Sequence, residues 1–163
     1  MAASDGRRSD ELTDDEKYQN VLKLAFKGDK DLFDEFCELI KVAVPEGTTA
    51  VLRGSSVTGK RYRDGAPFDA DGPGTSDLDL TLVGDEVVTF YSTITGTYLP
   101  GIHTKPMGED HPGIAPQLEP LREKLVSLVA RPVNVQASRD FFMHLRGDIL
   151  GQPYLTLFGK VGE

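Results

Sequence analysis

The sequence has a single cysteine, Cys37, among its 163 residues, so no disulfide can form within the chain. This scarcity fits a reducing compartment, where structural disulfides are rare. Cys37 lies among apolar residues in the stretch FDEFCELI. Such surroundings are typical of a buried, unreactive thiol, and we therefore do not expect cysteine-based catalysis.

Long apolar runs are also missing. No stretch approaches the roughly 20 apolar residues that a helix needs to cross a bilayer. The N-terminus, MAASDGRRSDELTDDE, lacks the apolar core of a secretory signal. We therefore expect a cytoplasmic protein with no membrane partner. A length of 163 residues predicts one compact domain.

Basic residues are outnumbered by acidic ones. The net charge is −8, of which −4 comes from the first 16 residues. An acidic body disfavours tight, non-specific binding to nucleic acid, although a local basic groove would still allow contact. The densest basic cluster in the chain contains Arg53, Lys60, Arg61 and Arg63.

Two helices are predicted before the first strand. Residues 1–12 are polar and charged and are expected to form a disordered tail, which leaves residues 13–163 as a single domain. The tetrad T-D-D-E from Thr13 to Glu16 is a capping box, which marks the start of the first helix. Apolar residues at helical spacing predict a second helix that ends before Pro45.

The remainder of the chain alternates between strands and helices. Apolar and β-branched residues predict strands over 48–55, 77–83 and 131–137, and either an edge strand or a last helical turn over 153–158. Helices are predicted over 84–94, from Leu118 and after Ser138, and long loops over 61–76 and 96–116. The expected class is α/β or α+β, with a small mixed β-sheet, helices packed on one face and two N-terminal helices.

The stretch RGSSVTGKR has the G-x-x-x-x-G-K spacing of a phosphate-binding P-loop between Gly54 and Lys60. Arg61, however, stands where a P-loop has the Ser or Thr that binds magnesium. The glycines and prolines that follow also exclude a long helix. A P-loop is therefore not expected. Two interpretations remain, an ordinary tight turn with incidental serines or a phosphate site of another kind.

Two aspartates, Asp77 and Asp79, lie in the predicted strand DLDLTLV. Because alternate residues of a strand share a face, both carboxylates point to the same side. Their repulsion costs stability unless a cation lies between them, and oxygen ligands at this density suit Mg²⁺ or Mn²⁺. The alternative is an edge strand with a solvated acidic face.

These motifs occur together in one part of the chain. An apolar strand ends in Gly54-Ser55, Thr58-Gly59 follows, and then comes Ser76-Asp77-Leu78-Asp79-Leu80. This combination resembles the nucleotidyltransferase superfamily typified by DNA polymerase beta, over about residues 49–84. The wider context is similar to small bacterial nucleotidyltransferase-like domains, some of which occur in secreted polymorphic toxins. Delivery as part of a toxin system therefore stays open as an alternative to a cytoplasmic location.

The resemblance implies a metal-dependent enzyme that moves an NMP from an NTP, such as ATP, to an acceptor hydroxyl or phosphate with release of pyrophosphate. It leaves open whether the acceptor is tRNA, a protein or a small molecule. It also implies that Asp77 and Asp79 are catalytic and hold Mg²⁺ or Mn²⁺ around the α-phosphate. The nucleotide-binding residues that it implies are Gly54, Ser55, Ser56, Thr58, Lys60 and Arg61.

One position departs from the pattern of the superfamily. The third carboxylate, which often serves as general base, is expected on the strand RPVNV, where this sequence has Asn134. An amide is not a base at neutral pH and is a weaker metal ligand than a carboxylate. The chain is then either an impaired module that binds a nucleotide or a protein, or an enzyme that relies on the metal alone or on another base. Candidate bases are His103, Asp110, His111 and Asp140.

Overall fold

A computed structural model describes residues 12–61, 64–99, 101–140 and 153–159 of the chain. The fold is α+β, with a mixed six-stranded sheet and helices before and between its strands. All but the last residue of the tail predicted over 1–12 lies outside the described residues, as does most of the helix predicted after Ser138. Within the described ranges, no helix combines the length and apolar character that a membrane crossing requires.

The two N-terminal helices begin and end at residues that the sequence marks. Helix α1 (Asp14–Phe26) starts with the expected capping box. The Thr13 hydroxyl accepts a hydrogen bond from the Glu16 amide at 3.1 Å, and Glu16 Oε1 accepts one from the Thr13 amide at 2.9 Å. Helix α2 (Lys30–Ala43) ends before Pro45, which cannot supply an amide to continue it.

Cys37 lies on α2 and packs, half-buried, against the core. Burial raises the pKa of its thiol to about 11, so the group stays protonated near neutral pH. This agrees with the unreactive thiol expected from the sequence.

The strands are β1 (Thr49–Arg53), β2 (Leu78–Val83), β3 (Thr97–Leu99), β4 (His103–Thr104), β5 (Val133–Ser138) and β6 (Tyr154–Phe158). Their order across the sheet is β3-β4-β5-β2-β1-β6. Strand β1 runs antiparallel to β2 and β6, whereas β2 and β5 are parallel. The strands predicted over 48–55, 77–83 and 131–137 are thus present. Of the two alternatives for 153–158, the edge strand is the one observed.

Two predictions for the middle of the chain need correction. The segment 96–116 is not all loop, because β3 and β4 pair within it as an antiparallel hairpin. Within 84–94 the structure contains a single 3₁₀ turn, Val87–Phe90, rather than a longer helix. The helix predicted from Leu118 is present as α4 (Glu119–Val129). A four-residue helix, α3 (Ser55–Thr58), follows β1.

One face of the sheet forms the main core with α1, α2 and α4. The largest fully buried apolar side chains of this core are Phe26, Phe36, Ile40, Leu52, Leu78, Leu80, Leu82, Met107, Leu118 and Leu125. The intervening strand residues face the other side, where Gln136 Nε2 donates a hydrogen bond to Thr81 Oγ1 at 2.9 Å. Asp79 and Asn134 belong to this second, more polar face because they alternate with core residues along β2 and β5.

Candidate functional site

The turn after β1 depends on a glycine. Gly54 has φ 91° and ψ −160°, a region of backbone conformation that is essentially restricted to glycine. A Cβ atom at this position would lie 2.8 Å from Asp79 Oδ2. The Gly54 carbonyl accepts the hydrogen bond from the Val57 amide at 3.0 Å that starts α3. The backbone of the turn therefore lies directly against a carboxylate of the neighbouring strand.

Helix α3 is held at both of its ends. Asn20 on α1 donates a hydrogen bond from Nδ2 to the Val57 carbonyl at 2.8 Å. Thr58 Oγ1 donates to the Lys60 carbonyl at 2.7 Å, so Thr58 shapes the turn that follows the helix. Ser55, the first residue of α3, is half-buried, whereas Ser56 is fully buried. Asn20 was not among the site residues predicted, because nothing in α1 indicates a contact 37 residues away.

From the sequence we predicted that Asp77, Asp79 and Asn134 form the catalytic centre, and the structure brings these three side chains together. Asp79 lies opposite Arg53 on β1 and opposite Asn134 on β5. Asn134 Nδ2 donates hydrogen bonds to Asp77 Oδ2 at 2.6 Å and to Asp79 Oδ1 at 3.3 Å. Oxygens of both carboxylates therefore lie within 3.3 Å of one nitrogen atom.

The Asn134 amide is a neutral group that donates hydrogen bonds to two carboxylates. Donors placed in this way offset part of the repulsion between two neighbouring carboxylates. The same amide cannot accept a proton near neutral pH. Asn134 thus contributes a hydrogen-bond donor to this cluster and not a base.

This arrangement offers a divalent cation two carboxylates as protein ligands. Mg²⁺ is commonly held by one or two carboxylates, with water and substrate phosphates as its other ligands. Asp77 and Asp79 converge closely enough to supply the two carboxylates. Among the described residues, no group of three or more His, Cys, Asp or Glu side chains is placed to hold a metal ion. A bound phosphate and water are the further ligands that Mg²⁺ commonly takes at a site with two carboxylates.

A second glycine closes the site on the β5 side. Met107 pairs with Val135 through two backbone hydrogen bonds of 2.8 and 3.0 Å, which brings the following residue beside Asn134. A Cβ atom at Gly108 would overlap Asn134 Oδ1, so a larger residue there would force the Asn134 side chain to move. The loop that continues from Gly108 carries Asp110 and His111. Gly108 was not predicted as a site residue, because its contact partner lies on a distant strand.

The basic residues after the turn differ in whether their positive charge is paired with acidic side chains. Arg61 is bound within its own loop, with Nη1 2.8 Å from Asp71 Oδ2 and Nη2 3.1 Å from Asp64 Oδ2. Its charge is therefore already matched by two carboxylates. Lys60 is exposed at the end of the turn. Arg63 lies outside the described residues.

Two of the candidate bases lie away from the carboxylates. His103 is buried, and its Nδ1 is 2.7 Å from Ser138 Oγ. Ser138 follows Asn134 by four residues along β5, which corresponds to about 13 Å at roughly 3.3 Å per residue. Asp140 is further along the chain in the same direction and pairs with Arg139 Nε at 3.1 Å.

Comparisons with protein-family models, curated proteins and solved structures find no match to this chain. The functional interpretation therefore depends on the residues described above: a glycine turn, a pair of carboxylates on the adjacent strand and an asparagine that contacts both.

Proposed function

We propose that the chain binds a nucleoside triphosphate with a divalent cation at the end of the sheet where β1 meets β2. The proposed reaction transfers the NMP moiety to an acceptor hydroxyl or phosphate and releases pyrophosphate. The observation that carries this proposal is the direct approach of the Gly54 backbone to Asp79, with Asp77 on the same side. A phosphate turn and a pair of metal-ligating carboxylates are then adjacent, which a bound Mg²⁺-nucleotide requires.

In this proposal the residues of the turn hold the outer phosphates. Ser55 and the backbone after Gly54 bind the β- and γ-phosphates, and Thr58 keeps the turn closed. Lys60 offers positive charge at the rim of the turn, whereas the charge of Arg61 is matched within its loop.

The two carboxylates act on the α-phosphate. Asp77 and Asp79 would hold Mg²⁺ or Mn²⁺, and such an ion would supply positive charge to offset the charge of the triphosphate. The acceptor oxygen forms a bond to the α-phosphorus while the bond to the bridging oxygen of pyrophosphate breaks. Asn134 keeps the two carboxylates together through its hydrogen bonds.

Where a side chain takes the proton of an acceptor hydroxyl, that side chain is not Asn134. Asp110 and His111 follow Gly108, whose backbone lies against Asn134, and these residues are therefore the better placed of the candidates. His103 pairs with Ser138 at the far end of β5, and Asp140 comes two residues after that end.

Asn134 also favours a second candidate function, a binding module without turnover. Because the amide replaces a base with a hydrogen-bond donor, the same site would bind a nucleotide and leave it intact. The binding module and the enzyme differ in the fate of the α-phosphate, and this difference decides between them.

The test uses an NTP labelled on its α-phosphate, incubated with the protein, Mg²⁺ and a cell extract. The enzyme transfers the label to an acceptor and releases pyrophosphate in equal amount, whereas the binding module retains intact NTP. Asp77→Ala combined with Asp79→Ala is expected to abolish the transfer. A matched control, Asp64→Ala with Asp71→Ala, removes two acids near the turn that contact Arg61. This variant is expected to transfer the label as the wild type does. Equal labelling by all three proteins would refute the proposal.

A further inference from the structure

An ion pair between a buried arginine and a partly exposed aspartate lies beside the proposed site and takes no part in it directly. Arg131 precedes β5, and its side chain is 7% exposed. Its Nη1 and Nη2 donate to the two oxygens of Asp69 at 2.8 and 3.1 Å, a bidentate contact across 62 residues of sequence. The guanidinium also lies over the Phe68 ring, 4.5 Å from its centroid. The contact attaches the loop over 61–76, which is rich in glycine and proline, to the segment before β5.

Asp69 also forms hydrogen bonds with Ser76, the residue before Asp77. Its carboxylate accepts hydrogen bonds from the amides of Ser76 at 2.9 Å and Gly74 at 3.2 Å. Its own amide donates to Ser76 Oγ at 2.7 Å. These bonds hold the backbone at Ser76 in one place, and Asp77 is the next residue.

Arg131 also contacts this segment without an intermediary. Its Nη1 donates to the Ser76 carbonyl at 2.8 Å, and the neighbouring Pro132 carbonyl accepts from the Leu78 amide at 3.0 Å. The residues on both sides of Asp77 are thus bound to the segment that leads into β5. Asn134 lies on β5, so the same segment places the donor and the acceptor of the Asn134–Asp77 hydrogen bond.

The pair has features that stability alone does not explain. Asp69 adopts φ 60°, a left-handed conformation that is unfavourable for most residues and is tolerated by Asp and Asn. Arg131 holds the pKa of Asp69 at about 2, so the pair is ionised across the physiological range. An ion pair that keeps some contact with water commonly adds little net stability, and one established use of desolvated charged groups is to fix a particular geometry.

We infer that Arg131 and Asp69 are positioning residues for the Asp77 carboxylate. This inference rests on the proposed function for its purpose, although the geometry that it describes is measurable without any ligand. Loss of the pair leaves the carboxylate present and lets its position relative to Asn134 vary.

The experiment measures the Asn134 side-chain amide by NMR in the protein without ligand. Its two proton signals are identified by their absence in Asn134→Asp. The effect of losing the Asp77 contact is calibrated with Asp77→Asn. Asp69→Asn is the decisive variant, because Asn tolerates the left-handed backbone and keeps one acceptor while losing the charge that binds Arg131. Arg122→Met is the matched control, since it removes an arginine whose partner, Glu119, lies within α4.

We expect Asp69→Asn to move the Asn134 amide signals by at least half of the change seen in Asp77→Asn, and Arg122→Met to leave them in place. Arg131→Met is expected to move them further, and if it does not fold, Asp69→Asn alone decides the outcome. Asn134 signals that stay at their wild-type positions in folded Asp69→Asn would overturn the inference.

A second readout connects the pair to the proposed site. The affinity for Mn²⁺ is measured by the broadening of signals near Asp79 in the wild type, Asp69→Asn and Arg122→Met. A loss of about tenfold is expected for Asp69→Asn, in line with the effect of residues that orient metal ligands. If the wild type binds no Mn²⁺, the proposed function fails, whereas the amide signals still test the positioning. Equal Mn²⁺ affinity in all three proteins would contradict a role for the pair at the metal site.

Discussion

Replacing Gly54 with alanine tests the closest contact in the proposed site. The φ and ψ angles of residue 54 lie in a region that costs other residues about 1–3 kcal/mol. The added Cβ would lie 2.8 Å from Asp79 Oδ2, several tenths of an ångström inside an ordinary carbon–oxygen contact of about 3.3 Å. Asp79 must then move, which weakens its hydrogen bond with Asn134, a kind of bond worth about 1.5–3 kcal/mol when one partner is charged. We expect the free energy of unfolding to fall by about 3 kcal/mol.

The assay compares Gly54→Ala with Gly47→Ala by urea unfolding and by titration with Mg²⁺ and NTP. Gly47 also has a positive φ, 89°, but nothing lies within 4 Å of its Cβ position. Its replacement is expected to cost about 1–2 kcal/mol, from backbone strain alone, and to leave nucleotide binding intact. Gly54→Ala should lose both stability and binding because Asp79 is displaced. Similar unfolding free energies for the two variants, together with wild-type binding by Gly54→Ala, would refute the reasoning.

Three further predictions follow from single residues. Asn134→Asp adds a third carboxylate beside Asp77 and Asp79, and is expected to raise Mn²⁺ affinity about tenfold at pH 7 because carboxylates are stronger ligands than amides; an unchanged or lower affinity in a titration would contradict this. The folded pKa of Asp69, about 2, lies below its ordinary value of 3.8, so its stabilising effect is present above about pH 5 and is lost as the pH falls towards 2. The difference in unfolding free energy between wild type and Asp69→Asn should therefore shrink over that range, and a difference independent of pH would be inconsistent with the ion pair. Cys37, with a pKa of about 11, should react with iodoacetamide at pH 8 much more slowly than a free cysteine, and equal rates would show that it is not shielded.

Local signals in the sequence predicted much of the fold. The capping box at Thr13 acts within four residues and appears as expected, because both of its hydrogen bonds are local. The alternation around Asp77 and Asp79 fixed which residues of β2 face the core. Composition misled at 96–116, where glycines and prolines indicated a loop, because β4 of that hairpin pairs with the distant strand β5. Pairing across the sheet outweighed the local preference there.

Contacts between distant segments explain the parts of the site that the sequence did not predict. Gly108 matters because of Asn134, Asn20 because of Val57, and Asp69 because of Arg131. None of these partners can be read from spacing in a single sequence. Arg61 differs from these cases, since its partner Asp64 lies only three residues away, and its contact with a nucleotide stays a prediction.

The Asp77 and Asp79 pair is the centre of the proposed function, and direct binding tests it. Isothermal titration of the wild type, Asp77→Ala/Asp79→Ala and Asp64→Ala/Asp71→Ala with each NTP, in Mg²⁺ and in EDTA, separates the metal-dependent site from other acids near the turn. We expect binding that requires Mg²⁺ in the wild type and in the Asp64/Asp71 variant, and none in the Asp77/Asp79 variant. Binding that persists in the Asp77/Asp79 variant, or that is the same in EDTA, would contradict a metal and nucleotide site at these two carboxylates.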